Sequence, residues 1–147
     1  MMSSTLWQYR FEVLGEVVGK ERPKFGQGHA YTPKKTKDYE TAIKNTFRCK
    51  CSYLSKKALR IKILAYFSVP KSTSKAKKEK MLRNELICTK KPDFDNIAKV
   101  VCDALNKVAY YDDSQIAESI VMKRWGGQDK LVVILEEIGE PYKKIGG

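Results

Sequence analysis

Between Lys91 and Gln115 the sequence reads KPDFDNIAKVVCDALNKVAYYDDSQ, and five aspartates fall within it: Asp93, Asp95, Asp103, Asp112 and Asp113. Carboxylates repel phosphate and one another, so a basic chain that gathers them in one stretch points to a cation held there. Pro92 disfavours helix immediately before it, which sets Asp93 at an extended or turn position. Asp95 or Asn96 can then cap the helix that begins there. With Asp93-x-Asp95 extended, both carboxylates face one side and can share a divalent ion. Lys99 lies one helical turn beyond Asp95 on the same face, and Asp103 continues the stripe as a weaker candidate. Tyr110-Tyr111-Asp112-Asp113 follows the helix and can fold a third and fourth carboxylate back against its start.

The other reactive groups narrow the chemistry. The single histidine, His29, sits in the loop-like GQGHAYTP, which excludes any multi-His metal site. Cys49, Cys51, Cys88 and Cys102 lack the paired two-residue spacing of a zinc site and read as reduced thiols. Carboxylate and lysine remain, a set suited to Mg²⁺ or Mn²⁺. Such ions can supply a nucleophilic water and relieve charge in phosphodiester hydrolysis, with a lysine stabilising the transition state. Each group also has an ordinary use: a cap worth ~1 kcal/mol for Asp93 or Asp95, an i,i+4 pair for Lys99, a turn for Asp112 and Asp113. Together, in a chain of net charge +12, they make the metal site the stronger account.

The elements that must position these groups follow from periodicity. Alternation over Trp7–Leu14 and over Leu59–Val69 predicts two strands. The Gly- and Pro-punctuated stretch 15–33 is a loop or a loose hairpin around Gly26–Gly28. Tyr39, Ala42, Ile43 and Phe47 mark a helix over 34–50. Ser74 caps a basic helix over 74–85, and Ile97, Val101, Ala104, Leu105 and Val108 mark another over 95–107. Gln115–Trp125 and Lys130–Ile138 read as strands of a C-terminal antiparallel hairpin. The tail from Glu140 is expected to fray. This order gives an α+β fold: a single domain with a mixed β-sheet and flanking helices.

Charge is distributed unevenly. Residues 1–92 hold 22 Lys+Arg against 7 Asp+Glu, whereas residues 93–147 hold 7 against 10. The first part suits a polyanion, and candidate phosphate contacts are Lys20, Arg22, Lys24, Lys34, Lys35, Lys37, Lys75, Lys77, Lys78, Lys80, Lys90 and Lys91. Phe25, Tyr31, Tyr110 and Tyr111 could stack on unpaired bases, although core or loop packing is their commoner use. No apolar run is long enough for a transmembrane helix and no secretion signal precedes the first strand, so an intracellular protein is expected.

The run KPDFDNIAKVVCDALNKVAYYDDSQI resembles the signature of the RusA-type Holliday-junction resolvases. The resemblance extends to KRWG at Lys123–Gly126, and GKERPKFGQGHAYTPKKTKDYE is similar to the upstream region of one branch of that family. It implies metal-binding roles for Asp93, Asp95 and Asp113, with Asp112 an additional candidate, and a catalytic role for Lys99. It also implies a Mg²⁺- or Mn²⁺-dependent homodimer that nicks four-way DNA junctions symmetrically, in the cytoplasm of a bacterium or from a phage or prophage. Two other readings stay open: a non-enzymatic basic nucleic-acid-binding protein, and a metal nuclease for a flap, a fork or RNA.

Overall fold

A computed structural model describes residues 5–146. In chain order the elements are β1 (Gln8–Leu14), β2 (Lys24–Gly26), β3 (His29–Tyr31), α1 (Lys34–Lys50), β4 (Ala58–Ser68), α2 (Lys75–Leu82) and α3 (Phe94–Leu105). A 3₁₀ turn (Asp113–Gln115), β5 (Ile116–Gly126) and β6 (Lys130–Gly139) complete the fold. The main sheet has the order β1-β6-β4-β5, antiparallel except for the parallel pair β4–β5, and β2 and β3 form a separate two-stranded sheet. This is the mixed α+β architecture that the element order implies.

Alternation explains why the sheet has one dry face. Leu59, Ile61, Ile63, Ala65 and Phe67 of β4 are buried, and they meet Phe11, Val13, Leu131, Val133 and Leu135 from the strands beyond. Helix α1 adds Tyr39, Ile43 and Phe47, and α3 adds Ile97, Val100, Val101, Ala104 and Leu105 to the same core. The opposite face carries ion pairs, among them Arg60–Glu118 at 2.8 Å and Lys62–Glu136 at 3.2 Å. Among the described residues no helix is long and apolar enough to cross a membrane.

The parallel pair matters most for the site. Parallel neighbours cannot be joined by a tight turn, so the chain between them must cross over the sheet. Here the crossover carries α2 and α3, and α3 is the helix of the aspartates. The last two strands keep the antiparallel sense and tight connection expected of them, but they do not pair with each other because β4 runs between them. Burial of every second side chain from Leu59 to Phe67 makes β4 the natural centre of the sheet. The connecting turn steps over its end, where the Asp129 carboxylate accepts hydrogen bonds from the Ser68 N–H at 2.7 Å and the Ser68 hydroxyl at 3.2 Å.

Two boundaries also differ from expectation. Helix α2 stops at Leu82, before Asn84 with φ 62°, and α3 stops at Leu105, before Lys107 with φ 63°. The Lys107 N–H donates instead to the Tyr110 carbonyl at 2.7 Å, turning the chain back. In the C-terminal segment Glu140 pairs with Lys57, and Gly146 lies against the Tyr111 ring, where an added Cβ would meet it at 3.1 Å. Gly147 falls outside the described residues.

One buried charge ties the N-terminal strand to this frame. The Glu137 carboxylate, 6% exposed, accepts from the Trp7 N–H at 2.9 Å, the Tyr53 hydroxyl at 2.7 Å and the Ser55 hydroxyl at 2.6 Å. Burial alone would raise its pKa, but the hydrogen bonds from Ser55, Tyr53 and Trp7 outweigh it and hold the carboxyl below its ordinary value of 4.5. A depressed folded pKa contributes stability above the unfolded value and loses it as pH falls through the folded one. Glu137→Gln should therefore cost about 2 kcal/mol at pH 7 and flatten the loss of stability below pH 4.5, read by thermal melts across that range.

Candidate active site

Helix α3 begins at Phe94 with Asp93 as its N-cap, so neither Asp95 nor Asn96 fills the capping role open to it. The Asp93 side chain makes no capping hydrogen bond, and both it and Asp95 are exposed. Asp95 occupies the first turn, where the helix dipole favours a negative charge. The cap is therefore backbone only, and the two carboxylates are not consumed by it.

Two adjoining depressions share Asp95. The first, about 590 Å³, is lined by Asp95, Lys99, Asp103 and Asp113, with Cys102 and Ser119 beside them. The second, about 840 Å³, contains Asp93 and Asp95 together with Lys20, Arg22, Lys24, Lys35 and Lys91. Asp95, Lys99 and Asp113 thus come together, whereas Asp93 meets Asp95 on the other side. Among the described residues none of these four is in an ion pair.

The turn that brings Asp113 back to α3 separates it from Asp112. The Asp112 carboxylate accepts from the Ser114 N–H at 3.0 Å and caps the 3₁₀ turn, hydrogen bonds that hold its pKa below the ordinary value. Its partner in the capping box is Gln115, which is 3% exposed. The Gln115 Oε1 accepts from the N–H groups of Tyr111 at 2.8 Å and Asp112 at 3.0 Å, while its Nε2 donates to the carbonyls of Ser55 and Lys57, both at 3.0 Å. Every hydrogen-bonding position of this amide is used. Residue types alone did not single out Gln115, though Asp-x-x-Gln at a turn is a local capping signal.

Tyr110 is wholly buried, and its hydroxyl donates to the Cys102 carbonyl at 2.8 Å, binding the turn to α3 from within. It is thus packing rather than a stacking surface, and Tyr111 is half-buried. Burial pushes the Cys102 thiol up to about 11, with the Asp113 and Asp103 carboxylates adding to the effect. At neutral pH that thiol therefore carries no charge beside the acids.

Lys20 turns inward instead of presenting its charge to solvent. Its Nζ lies 3.2 Å from Glu40 on α1 and 3.1 Å from Asp103 on α3, and its side chain is mostly covered. Burial works against its charge, but the hydrogen bonds with Asp103 and Glu40 prevail and raise its pKa. The neighbouring Gly19 sits so close that an added Cβ would lie 2.7 Å from the Pro92 Cβ, and the Lys20 N–H donates to the Asn96 carbonyl at 2.8 Å. Lys20 and Asp103 therefore brace the site.

The remaining cations are at the surface. Lys34 pairs with Asp38 at 2.8 Å and Lys35 with Glu16 at 3.3 Å. Lys75, Lys77, Lys78 and Lys80 are exposed along α2, whose Ser74 cap accepts from the Lys77 N–H at 3.3 Å as its sequence predicts. Lys37, Lys90 and Lys91 are exposed, and of these Lys91 lines the second depression.

The donor set fits a hard divalent cation in its chemistry: carboxylate oxygen, no imidazole, and a protonated thiol. Among the described residues no three His, Cys, Asp or Glu side chains are grouped closely enough to cage an ion. Mg²⁺ commonly takes one or two carboxylates and completes its octahedron with water and substrate phosphate, so an all-protein cage is not required.

An α+β sheet that sets unpaired aspartates and a lysine beside a cation-lined groove defines a candidate nuclease. The family described as Endodeoxyribonuclease RusA matches residues 15–136, from the Gly19–Lys20 loop to β6, and the chain belongs to that family. It is also 34% identical to the protein YqaN of Bacillus subtilis (strain 168), which is described as uncharacterized, over 88% of this chain and 96% of that one.

Gln115→Met keeps the volume but strands the four backbone groups that the amide satisfies. It should cost about 2–4 kcal/mol in urea unfolding. Under conditions where the variant remains folded, it should also reduce endonuclease activity, because Asp113 loses its support.

Proposed function

We propose that this protein is a divalent-metal-dependent, structure-selective endodeoxyribonuclease that resolves four-way (Holliday) DNA junctions by paired symmetric nicks. Membership of the RusA family supports the reaction class. The observation that carries the residue assignment is the shared depression of Asp95, Lys99 and Asp113, with Asp93 next to Asp95 in the adjoining groove.

In this reading Asp95 and Asp113 hold Mg²⁺ or Mn²⁺, and Asp93 assists from the groove side. The ion, when bound, supplies water activation and charge relief at the phosphoryl oxygens. Lys99 directs its ammonium toward the charge that develops in the transition state. Asp112 serves the turn rather than the ion. Arg22, Lys24 and Lys91 position the sugar-phosphate backbone, and the exposed lysines of α2 add affinity without sequence information. Two symmetric nicks require two such sites related by a two-fold axis, so a homodimer acting on DNA in the cytoplasm is part of the proposal.

The test is a labelled four-way junction incubated with Mg²⁺ or Mn²⁺ against EDTA. Paired nicks at symmetric positions are expected with either ion and none with EDTA. Asp95→Asn and Asp113→Asn should abolish nicking while retaining junction binding, and Lys99→Ala should slow it by about 10²–10³-fold. Junction binding without any nick would make the protein a binding module. Faster cutting of a flap or fork would reassign the substrate. An unchanged Lys99→Ala rate would remove that lysine from the chemistry.

A further inference from the structure

Strands β2 and β3 form an arm that is hydrogen-bonded to neither edge of the main sheet. Gln27 and Gly28, at φ 51° and 82°, make the two-residue turn in which both central residues are left-handed. The register pairs Lys24 with Tyr31, Phe25 with Ala30 and Gly26 with His29. Alternation then places Lys24, Gly26, His29 and Tyr31 on one face of the ribbon, and Phe25 and Ala30 on the other.

The two aromatic residues of the arm are treated differently. The Tyr31 ring covers Gly26, where an added Cβ would lie 3.1 Å from its Cε1. Phe25 stands opposite a methyl group and is 84% exposed. Among the described residues its ring stacks on no other. A short two-stranded ribbon is marginal in water, and an uncovered phenyl ring contributes almost nothing to its stability. The ring is therefore available to a partner. Lys24, its sequence neighbour on the other face of the ribbon, lines the same depression as Arg22, Lys91, Asp93 and Asp95.

We infer that this arm is the element that tells branched DNA from duplex: Arg22, Lys24 and Lys91 hold a strand in the groove beside Asp93 and Asp95, while Phe25 stacks on an unpaired base at the branch point. Every base has a π-face, so such a contact reads openness and not sequence. The inference rests on the proposed junction substrate and adds the segment that would recognise it.

Binding measured in EDTA separates the two. The probes are a four-way junction with 2-aminopurine at the branch point, a junction with the same base inside an arm, and a matched duplex. The wild-type protein should prefer the junction and quench only the branch-point probe. Phe25→Ala, whose site is outside the core, should keep the wild-type circular dichroism spectrum and duplex affinity. It should lose the quench and at least about fivefold in junction affinity, and Phe25→Trp should recover both. Arg22→Gln with Lys24→Gln should weaken junction and duplex alike and lower the salt slope by about 2. A wild-type protein that does not discriminate the junction, or a Phe25→Ala protein that binds and quenches as wild type does, overturns the arm whatever the nicking assay gives. A wild-type protein that discriminates and quenches through Phe25 but never nicks with Mg²⁺ or Mn²⁺ overturns the nuclease reading and leaves the arm standing.

Discussion

The geometry of the acid site depends on one buried amide. Gln115 fastens the turn after α3 to the segment before β4 through four hydrogen bonds, two accepted and two donated. A buried polar group left unpaired costs about 1–3 kcal/mol, so an amide satisfied at every position has little freedom to shift. That rigidity reaches Asp113, two residues before it, and sets it across from the helix that carries Asp95 and Lys99. The same amide touches the Ser55 backbone, and the Ser55 hydroxyl binds Glu137 on β6. A chain of buried polar contacts thus joins the acid turn to the sheet and to the N-terminal strand.

The second brace is ionic. Lys20 joins α1 to α3 through Glu40 and Asp103, with Gly19 packed on Pro92 at the mouth of the helix. Removing Lys20 leaves two partly buried carboxylates unmatched, an outcome costlier than the net worth of the bridge. Asp103 belongs to the aspartate stripe by spacing, but its charge is spent on this brace. Asp95 and Asp113 lie in the same depression without such a partner. The stripe divides into structural and available carboxylates by what faces each one from other elements.

That division marks the limit of what sequence could tell. Period-two alternation located β1 and β4, and the 3.6-residue spacing located α1 to its ends, because local burial pattern encodes local conformation. Asp95, Lys99 and Asp103 were legible as a stripe for a similar reason: their i,i+4 spacing on one helix face is local. Strand pairing is not local. β5 and β6 carry a good hairpin turn, yet the apolar strand β4 takes the place between them. Nor does a charge announce which way it points. Lys20 reads like Arg22 and Lys24 in sequence, and only the approach of α1 and α3 turns it inward. The aromatic residues divide in the same way: Tyr110 is core, whereas Phe25, on a ribbon outside the sheet, has nothing among the described residues to cover it.

Two populations of charge then meet at one groove, and their conflict suits the proposed chemistry. Arg22, Lys24 and Lys91 attract a phosphate backbone, while Asp93 and Asp95 in the same depression repel it. Opposed unit charges 4 Å apart exchange about 1 kcal/mol in water and about 4 kcal/mol near a protein surface, so neither population is negligible. In the proposed mechanism the acids without a cation would hold the backbone away from the place of bond breaking, and the lysines and arginine would keep it nearby. A divalent ion held by these aspartates would reverse the sign of the local field and turn repulsion into attraction. Holding the strand and cutting it would thus belong to separate groups of residues. In the proposed mechanism the basic side chains would hold the strand whether or not an ion is present, and the aspartates would take part in cutting only with an ion to share.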